Sequence, residues 1–172
     1  MATPVENIAP LYTPEQRRRR DESAWTIVQG ILAPLQFLVF IVSLLLVLNF
    51  LSTGEGFAAA TVSVVIKTAV LYTIMVTGAI WEKVVFDQYL FAPGFFWEDV
   101  VSMLVIALHT AYLAAWLFDL ASPQTQMIIA LAAYGTYVVN AAQFLLKLRK
   151  ARLQPVVPDV APDDAGLGMV NT

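Results

Sequence analysis

Long apolar runs separated by short polar stretches dominate the chain. Four of these runs reach about 20 residues or more, which is the length that an α-helix needs to cross the hydrocarbon core of a membrane. With 59% hydrophobic residues and a mean hydropathy of +0.70, the pattern predicts an all-α integral membrane protein built as a four-helix bundle. The predicted spans are residues 27–51, 58–80, 97–118 and 125–146.

The connections between the spans predict how the helices run. Residues 52–56 and 119–124 are long enough only for tight turns, so we expect antiparallel neighbours in an up-down topology. Neither turn contains lysine or arginine, whereas basic residues occur at 17–20, at Lys83 and at 147–152. Positive charge favours the cytoplasmic side, so both termini and the middle loop, taken as residues 81–97, are expected there.

Three regions follow from the polarity of the chain. Residues 1–24 are predicted to be a mobile cytoplasmic segment, residues 25–153 the membrane domain, and residues 154–172 a disordered tail rich in proline and aspartate. The first apolar run is too long for a cleaved signal peptide. Within it, Pro34 is expected either to bend the first helix or to mark its true start.

Composition removes several classes of chemistry. The chain has no cysteine and one histidine, which excludes disulfides, thiolate metal sites and bis-histidine haem ligation within it. Zinc-protease, phosphate-loop and dinucleotide-binding motifs do not occur. The net charge of −3 averages basic clusters against an acidic loop and tail. Basic clusters beside apolar helices indicate membrane orientation and anionic lipid rather than nucleic acid.

Two ionisable side chains fall deep within predicted spans. Lys67 and His109 lie 14 and 12 residues from the nearest of the tryptophans at 81 and 97, so the sequence places them at similar depths. Buried ionisable groups in a membrane are candidates for function. A snorkelling or internally paired lysine and a histidine bonded to a neighbouring helix are the alternative interpretations.

One face of the third span is polar at its start and aromatic further along. At 100° per residue, a narrow stripe contains Glu98, Ser102, Val105, His109, Tyr112 and Trp116. Glu98 and His109 are about 16 Å apart along such a helix, too far for a direct acid–base pair. Polar side chains elsewhere could complete a vestibule or cross-link helices, namely Gln29, Gln36, Asn140 and Gln143.

Three carboxylates cluster beside the middle loop, and the sequence shows no cation close to them in the chain. Glu82, Glu98 and Asp99 have no obvious local partner, because Lys83 is spaced to pair with Asp87. Burial favours the neutral form of a carboxyl group, which can then act as a general acid. The competing interpretation is a solvated interfacial loop with an aromatic belt. The flanking rings belong to Trp81, Phe86, Phe95, Phe96 and Trp97.

Residues 11–153 also resemble a known family. The chain is similar to the bacterial 3-vinyl bacteriochlorophyllide hydratases through the loops and polar positions as well as the apolar runs. The segments that carry the resemblance are LYTPEQRRRRD, WTIVQGILAPLQFLVF, TGEGFAAATVSVVIKT, VTGAIWEKVVF, YLFAPGFFWEDVVSMLVIALHTAYLAA and YVVNAAQFLLKLR.

The resemblance implies addition of water to the 3-vinyl group of chlorophyllide a or a related chlorin, giving a 3-(1-hydroxyethyl) product in bacteriochlorophyll synthesis. It also implies a bacterial inner membrane location, no cofactor apart from the substrate's own magnesium, and contact with lipid and other pigment-synthesis enzymes.

The candidate site follows from placing this reaction on the residues above. We expect Glu82, Glu98 and Asp99 to be catalytic, and Lys83 to meet the propionate of the substrate. The chain holds no metal of its own, and His109 is a candidate axial ligand to the substrate's magnesium. Further candidates for substrate binding are Trp81, Phe96, Trp97 and Lys67.

Two other functions use the same residues. A pigment carrier or assembly subunit of a photosynthetic complex needs the aromatic pocket and the histidine but no acid. A proton or ion conduit would be built around Lys67, Glu82 and His109. Turnover of pigment separates the hydratase from both.

Overall fold

The computed structural model describes residues 11–153, and this part of the chain forms helices and loops without strands. Four of its helices are long and apolar enough to cross a membrane, so the protein is a multi-pass membrane protein, as predicted. The predicted tail, residues 154–172, and residues 1–10 lie outside the described residues. The helices are α1 (Pro14–Glu22), α2 (Ala24–Thr53), α3 (Phe57–Phe86), α4 (Phe96–Leu117) and α5 (Pro123–Leu153).

Helix α1 was not predicted, although its start signal is present in the sequence. The Thr13 side chain accepts a hydrogen bond from the Gln16 backbone N–H at 3.2 Å, and the Gln16 side chain accepts one from the Thr13 N–H at 2.9 Å. This reciprocal capping box, with Pro14 at the first helical position, satisfies N–H groups that have no partner within the helix. The segment treated as mobile therefore contains a helix from residue 14 onward.

Helix α3 continues beyond the predicted end of its span. Trp81, Glu82 and Lys83 were placed in a loop, and that placement is wrong because the helix runs on to Phe86. Glu82 faces the bundle interior, so a charged residue in sequence does not mark the end of the helix. The helix ends at Asp87, which adopts a left-handed conformation with φ of 62°.

Helix α2 begins ten residues before its proline. Pro34 lies inside the helix, so the alternative in which it marks the true start is wrong. The α2–α3 turn contains Gly54 and Gly56 at φ of 77° and 82°, values that glycine adopts without steric cost. This turn is as tight as predicted.

The bundle consists of two packed helix pairs. Helix α2 packs along α3, and α4 along α5, while α2–α5 and α3–α4 contacts join the pairs. The core between them contains Phe40, Val64, Val105, Tyr112 and Tyr134. Large apolar side chains remain exposed along the outer faces of the helices, as expected for surfaces that contact lipid.

Candidate functional site

The end of α3 and the start of α4 bring two carboxyl groups together. Glu82 and Asp99 are 5% and 2% exposed, and their side chains interact directly. A hydrogen bond between two carboxyl groups requires one proton, and two adjacent negative charges repel each other. The Glu82–Asp99 pair is therefore suited to hold a proton away from water.

The loop between α3 and α4 covers this pair with backbone N–H groups. The Phe91 N–H donates to Asp99 Oδ2 at 2.7 Å, and the Ala92 N–H faces Glu82 Oε2 at a longer 3.5 Å. Phe91 has a φ of 60°, which is rare for an aromatic residue. Successive amides thus point at the two carboxyl groups and offset part of their negative charge.

The third predicted carboxylate has a different environment. Glu98 forms an ion pair with Lys147 of α5, which also donates to the Gly94 carbonyl. Sequence spacing offers Glu98 no local cation, and its partner in the structure, Lys147, lies 49 positions away in the chain. In the sequence, the basic segment that contains Lys147 indicates membrane orientation and contact with anionic lipid.

Polar side chains continue from Glu98 into the bundle between α4 and α5. Asn140 Nδ2 donates to the Ser102 hydroxyl at 2.8 Å. The amide oxygens of Asn140 and Gln143 are buried without a hydrogen-bond partner in the part of the chain that the structure describes. Gln29 instead cross-links helices, donating to Thr77 at 2.8 Å.

The predicted aromatic residues divide between two surfaces. Trp81 packs in an internal cluster, and its Nε1 donates to Thr26 at 2.9 Å. Phe96 and Trp97 lie on the outside, 44% and 68% exposed, with ring centroids 5.5 Å apart. The aromatic members of this cluster are Trp81, Phe86 and Phe95, together with Tyr12 and Phe144, which the sequence did not connect with the site.

Lys83 and Asp87 do not form the predicted side-chain pair. The Lys83 ammonium donates to the backbone carbonyl of Asp87 at 2.6 Å and faces the Tyr89 ring at 5.7 Å. The Asp87 carboxylate instead accepts a hydrogen bond from Arg19 of α1 at 2.7 Å. This contact lowers the pKa of Asp87 below its usual value and ties α1 to the end of α3.

Lys67 and His109 both lie in the interior of the bundle. Both are completely buried and close enough to interact electrostatically. His109 Nδ1 lies 2.8 Å from the Val105 carbonyl, and Lys67 Nζ lies 3.8 Å from the centroid of the Tyr137 ring. Among the described residues, neither Lys67 Nζ nor His109 Nε2 has a hydrogen-bond partner.

The predicted stripe on α4 is buried over most of its length. Its first five members face the interior, whereas Trp116 is 38% exposed and Ala115 takes the buried position. Because the stripe holds both Glu98 and His109, the two polar regions lie on one helix face, about 16 Å apart along the axis.

Sequence comparison identifies the family to which this arrangement belongs. Residues 12–150 match a family described as 2-vinyl bacteriochlorophyllide hydratase. The chain belongs to the vinyl bacteriochlorophyllide hydratase family. The resemblance stated above is thereby confirmed, and the protein is an enzyme of the hydro-lyase class that acts in bacteriochlorophyll synthesis.

Two relatives carry the name 2-vinyl bacteriochlorophyllide hydratase. The protein from Rhodobacter capsulatus is 69% identical over 156 residues, which cover 91% of this chain and 88% of the relative. The protein from Cereibacter sphaeroides is 70% identical over 154 residues, covering 87% of this chain and 95% of the relative. No solved structure matches the chain.

For a hydratase of this family, the space beside the carboxylates limits how substrate can approach. A cleft of about 210 Å³ opens next to Glu98 between α4 and α5. Sites that enclose small molecules are commonly about 300–1,000 Å³, so this cleft cannot surround a chlorin macrocycle. Only an edge or a substituent of the pigment fits there. The lining residues are Glu98, Gln143, Leu146, Lys147 and Lys150.

Proposed function

We propose that the protein hydrates the 3-vinyl group of chlorophyllide a or a related chlorin to give the 3-(1-hydroxyethyl) pigment. The observation that carries this proposal is the buried Glu82–Asp99 pair under the Phe91 and Ala92 amides. A pair of carboxyl groups holding one proton supplies what hydration of an alkene requires, namely an acid shielded from water. Names carried by relatives that are about 70% identical support the reaction class.

In the proposed mechanism, the Glu82–Asp99 pair donates its proton to the terminal vinyl carbon. A C–H bond forms as the π bond breaks, and the positive charge on the inner carbon spreads into the conjugated macrocycle. Water then forms a C–O bond to the inner carbon and gives one proton to a carboxylate. The pair regains its proton overall, and no electrons are transferred, so the reaction needs no redox cofactor.

Glu98 is assigned the role of orienting the attacking water. Glu98 is paired with Lys147, and a carboxylate oxygen accepts hydrogen bonds from water. The cleft reaches Glu98 from the outside, while the Ser102–Asn140 hydrogen bond lies further inside. In this assignment, the three predicted catalytic carboxylates divide into a proton-holding pair and a water-binding residue.

The exposed aromatic residues are assigned to the macrocycle. Phe96 contacts both Phe91 and Trp97 through its ring, at centroid distances of 5.8 and 5.5 Å. These rings lead along the lipid-facing surface to Phe91, whose backbone N–H binds Asp99. A flat apolar pigment can therefore approach sideways from the membrane, with its vinyl edge toward the carboxyl pair. In this proposal Trp81 forms the inner wall.

Substrate binding by Lys67 and His109 stays a prediction. If the Val105 carbonyl accepts a hydrogen bond from Nδ1–H, Nε2 of His109 carries the lone pair that an axial magnesium ligand needs. The complete burial of His109 requires the helices to separate before a macrocycle could reach it.

The proposed location is the bacterial inner membrane, including intracytoplasmic membrane. We propose an up-down bundle, residues 25–153, with both termini and the catalytic end on the cytoplasmic side. The positions of the basic residues support this orientation, because the short turns at the other end contain no lysine or arginine. Other pigment-synthesis enzymes are proposed partners on this side.

The experiment is to incubate chlorophyllide a with membranes that contain this protein alone. The proposal predicts a blue shift of the long-wavelength absorption band and a mass gain of one water. Membranes with the Glu82→Gln/Asp99→Asn double variant are the control. Folded wild-type protein that binds the pigment stoichiometrically without converting it would contradict a hydratase and support the carrier.

A further inference from the structure

The cleft beside Glu98 contains a lysine that the catalytic arrangement does not use. Gln143, Lys147 and Lys150 follow one face of α5 at helical spacing and line this cleft. Lys147 is already paired with Glu98 and the Gly94 carbonyl. Lys150 is exposed and has no ion-pair partner among residues 11–153.

The cleft therefore carries one positive charge that is not neutralised. The Glu98 carboxylate and the Lys147 ammonium cancel, which leaves Lys150. The Gln143 side chain can add a neutral N–H donor, since an amide nitrogen donates two hydrogen bonds. A carboxylate is the complement of an ammonium group beside an amide donor.

We propose that this cleft binds the free propionate carboxylate of the pigment substrate through Lys150. The inference rests on the proposed function, in which the vinyl group meets the Glu82–Asp99 pair. The propionate and vinyl groups of a chlorophyllide leave the macrocycle from neighbouring rings, so a group that binds the propionate is expected in the same region as the carboxyl pair. Lys150 lies about 4.5 Å further along α5 than Lys147, toward the C-terminal end of the helix.

Lys83, the residue expected from sequence to bind the propionate, has a competing contact. Its ammonium donates to the Asp87 carbonyl at 2.6 Å, where it closes the end of α3. Binding a carboxylate would require loss of this contact, whereas Lys150 loses no ion pair. The two assignments therefore differ in which lysine, when replaced, weakens binding of the propionate.

The test compares chlorophyllide a with its propionate methyl ester, which lacks the negative charge. For Lys150→Met, we expect the KM of the free acid to rise about 10-fold, as for loss of one charge-assisted hydrogen bond. The KM of the ester and the kcat for both pigments should remain close to wild type, and Lys150→Arg should restore acid binding. Arg149→Met, on the same turn but outside the cleft, and Lys83→Met are the matched controls.

Several outcomes would overturn the assignment. An equal loss for acid and ester in Lys150→Met would indicate a lipid headgroup or a structural role. If the KM for the free acid rises selectively in Lys83→Met and is unchanged in Lys150→Met, the propionate binds to Lys83 instead. If wild-type protein binds but does not convert the pigment, the proposed function fails, and fluorescence titration of the same variants with acid and ester still decides the propionate site.

Discussion

The two buried polar regions of the bundle differ in how their ionisable groups are paired. At the carboxylate mouth, defined as Glu82, Glu98, Asp99 and Lys147, carboxyl groups contact each other, a lysine and backbone amides. In the Lys67–His109 centre, the ammonium and Nε2 atoms lack hydrogen-bond partners among the described residues. The mouth also adjoins an open cleft, whereas the centre is completely buried.

This difference shows that depth in the membrane is not by itself a sign of catalysis. Reaction chemistry requires groups that hold a proton and can reach substrate, and the mouth meets both conditions. Sequence position made Lys67 and His109 at least as conspicuous as the carboxylates, because isolated ionisable residues within apolar runs are rare. The side-chain contacts favour the carboxylate mouth as the reaction site.

The sharpest test of the comparison is Asp99→Asn. It removes half of the proton-holding pair but keeps the side-chain volume, so we expect turnover of chlorophyllide a to fall about 100-fold or more, as for loss of a general acid. Pigment binding should persist, as measured by fluorescence titration. Glu55→Gln, an exposed change in the α2–α3 turn, is the control. Full turnover by both Asp99→Asn and Glu82→Gln would contradict the assignment.

Lys147→Met should distinguish the effect of the Glu98–Lys147 ion pair from that of proton donation by the Glu82–Asp99 pair. The change leaves Glu98 buried without its cation. We expect a loss of about 2 kcal/mol in the free energy of unfolding, as for a buried group that loses its partner. Turnover should fall less than in Asp99→Asn because the proton-holding pair remains. Unfolding in detergent measures the stability, with the exposed Arg149→Met as control. An unchanged stability would contradict a stabilising role for the pair with Glu98.

His109→Leu tests whether the centre takes part in pigment binding. If the bundle stays closed around this residue, pigment affinity should remain at the wild-type value, and protein stability should hold or rise because an unsatisfied polar group is removed. Affinity is measured by titrating the protein with the magnesium pigment and, separately, with the metal-free pigment. A loss confined to the magnesium form would establish the axial-ligand role.

The smallest predicted effect concerns the Arg19–Asp87 contact outside the bundle. The folded pKa of Asp87 lies below its unfolded value because of the Arg19 hydrogen bond. The contact therefore stabilises α1 fully above the unfolded pKa and is lost as the pH falls below about 4.

This loss can be followed at a single introduced label. The chain contains no cysteine, so a spin label at Glu22→Cys reports α1 alone. Its mobility should rise in acid for wild type and already be high at neutral pH for Arg19→Gln. Arg18→Gln, whose remaining partner Glu15 lies within α1, should behave like the labelled protein with both arginines. No difference between the two arginine variants would refute the tie to α3.

The length of the apolar runs predicted the four spanning helices well, since each needs only local hydrophobicity and sufficient length. Helix ends were less predictable. The end of α3 depends on Glu82 turning inward and on Asp87 adopting a left-handed conformation, and neither follows from polarity alone.

The candidate site shows the same limit at longer range. Local spacing brought Glu98 and Asp99 together and placed Glu82 near them. It could not reveal Lys147, which reaches Glu98 only because α5 packs along α4. Local spacing also favoured a Lys83–Asp87 side-chain pair. In the structure, the Asp87 carboxylate instead accepts a hydrogen bond from Arg19, 68 positions away.

The most direct test of the central claim is infrared spectroscopy of the resting protein in membranes. If Glu82 and Asp99 share a proton, wild type should show a carbonyl stretch of a protonated carboxyl group at neutral pH, shifted in D₂O. The band should persist in Glu98→Gln and disappear in the Glu82→Gln/Asp99→Asn double variant. A band that survives in the double variant, or is absent from folded wild-type protein, would contradict a proton held by this pair.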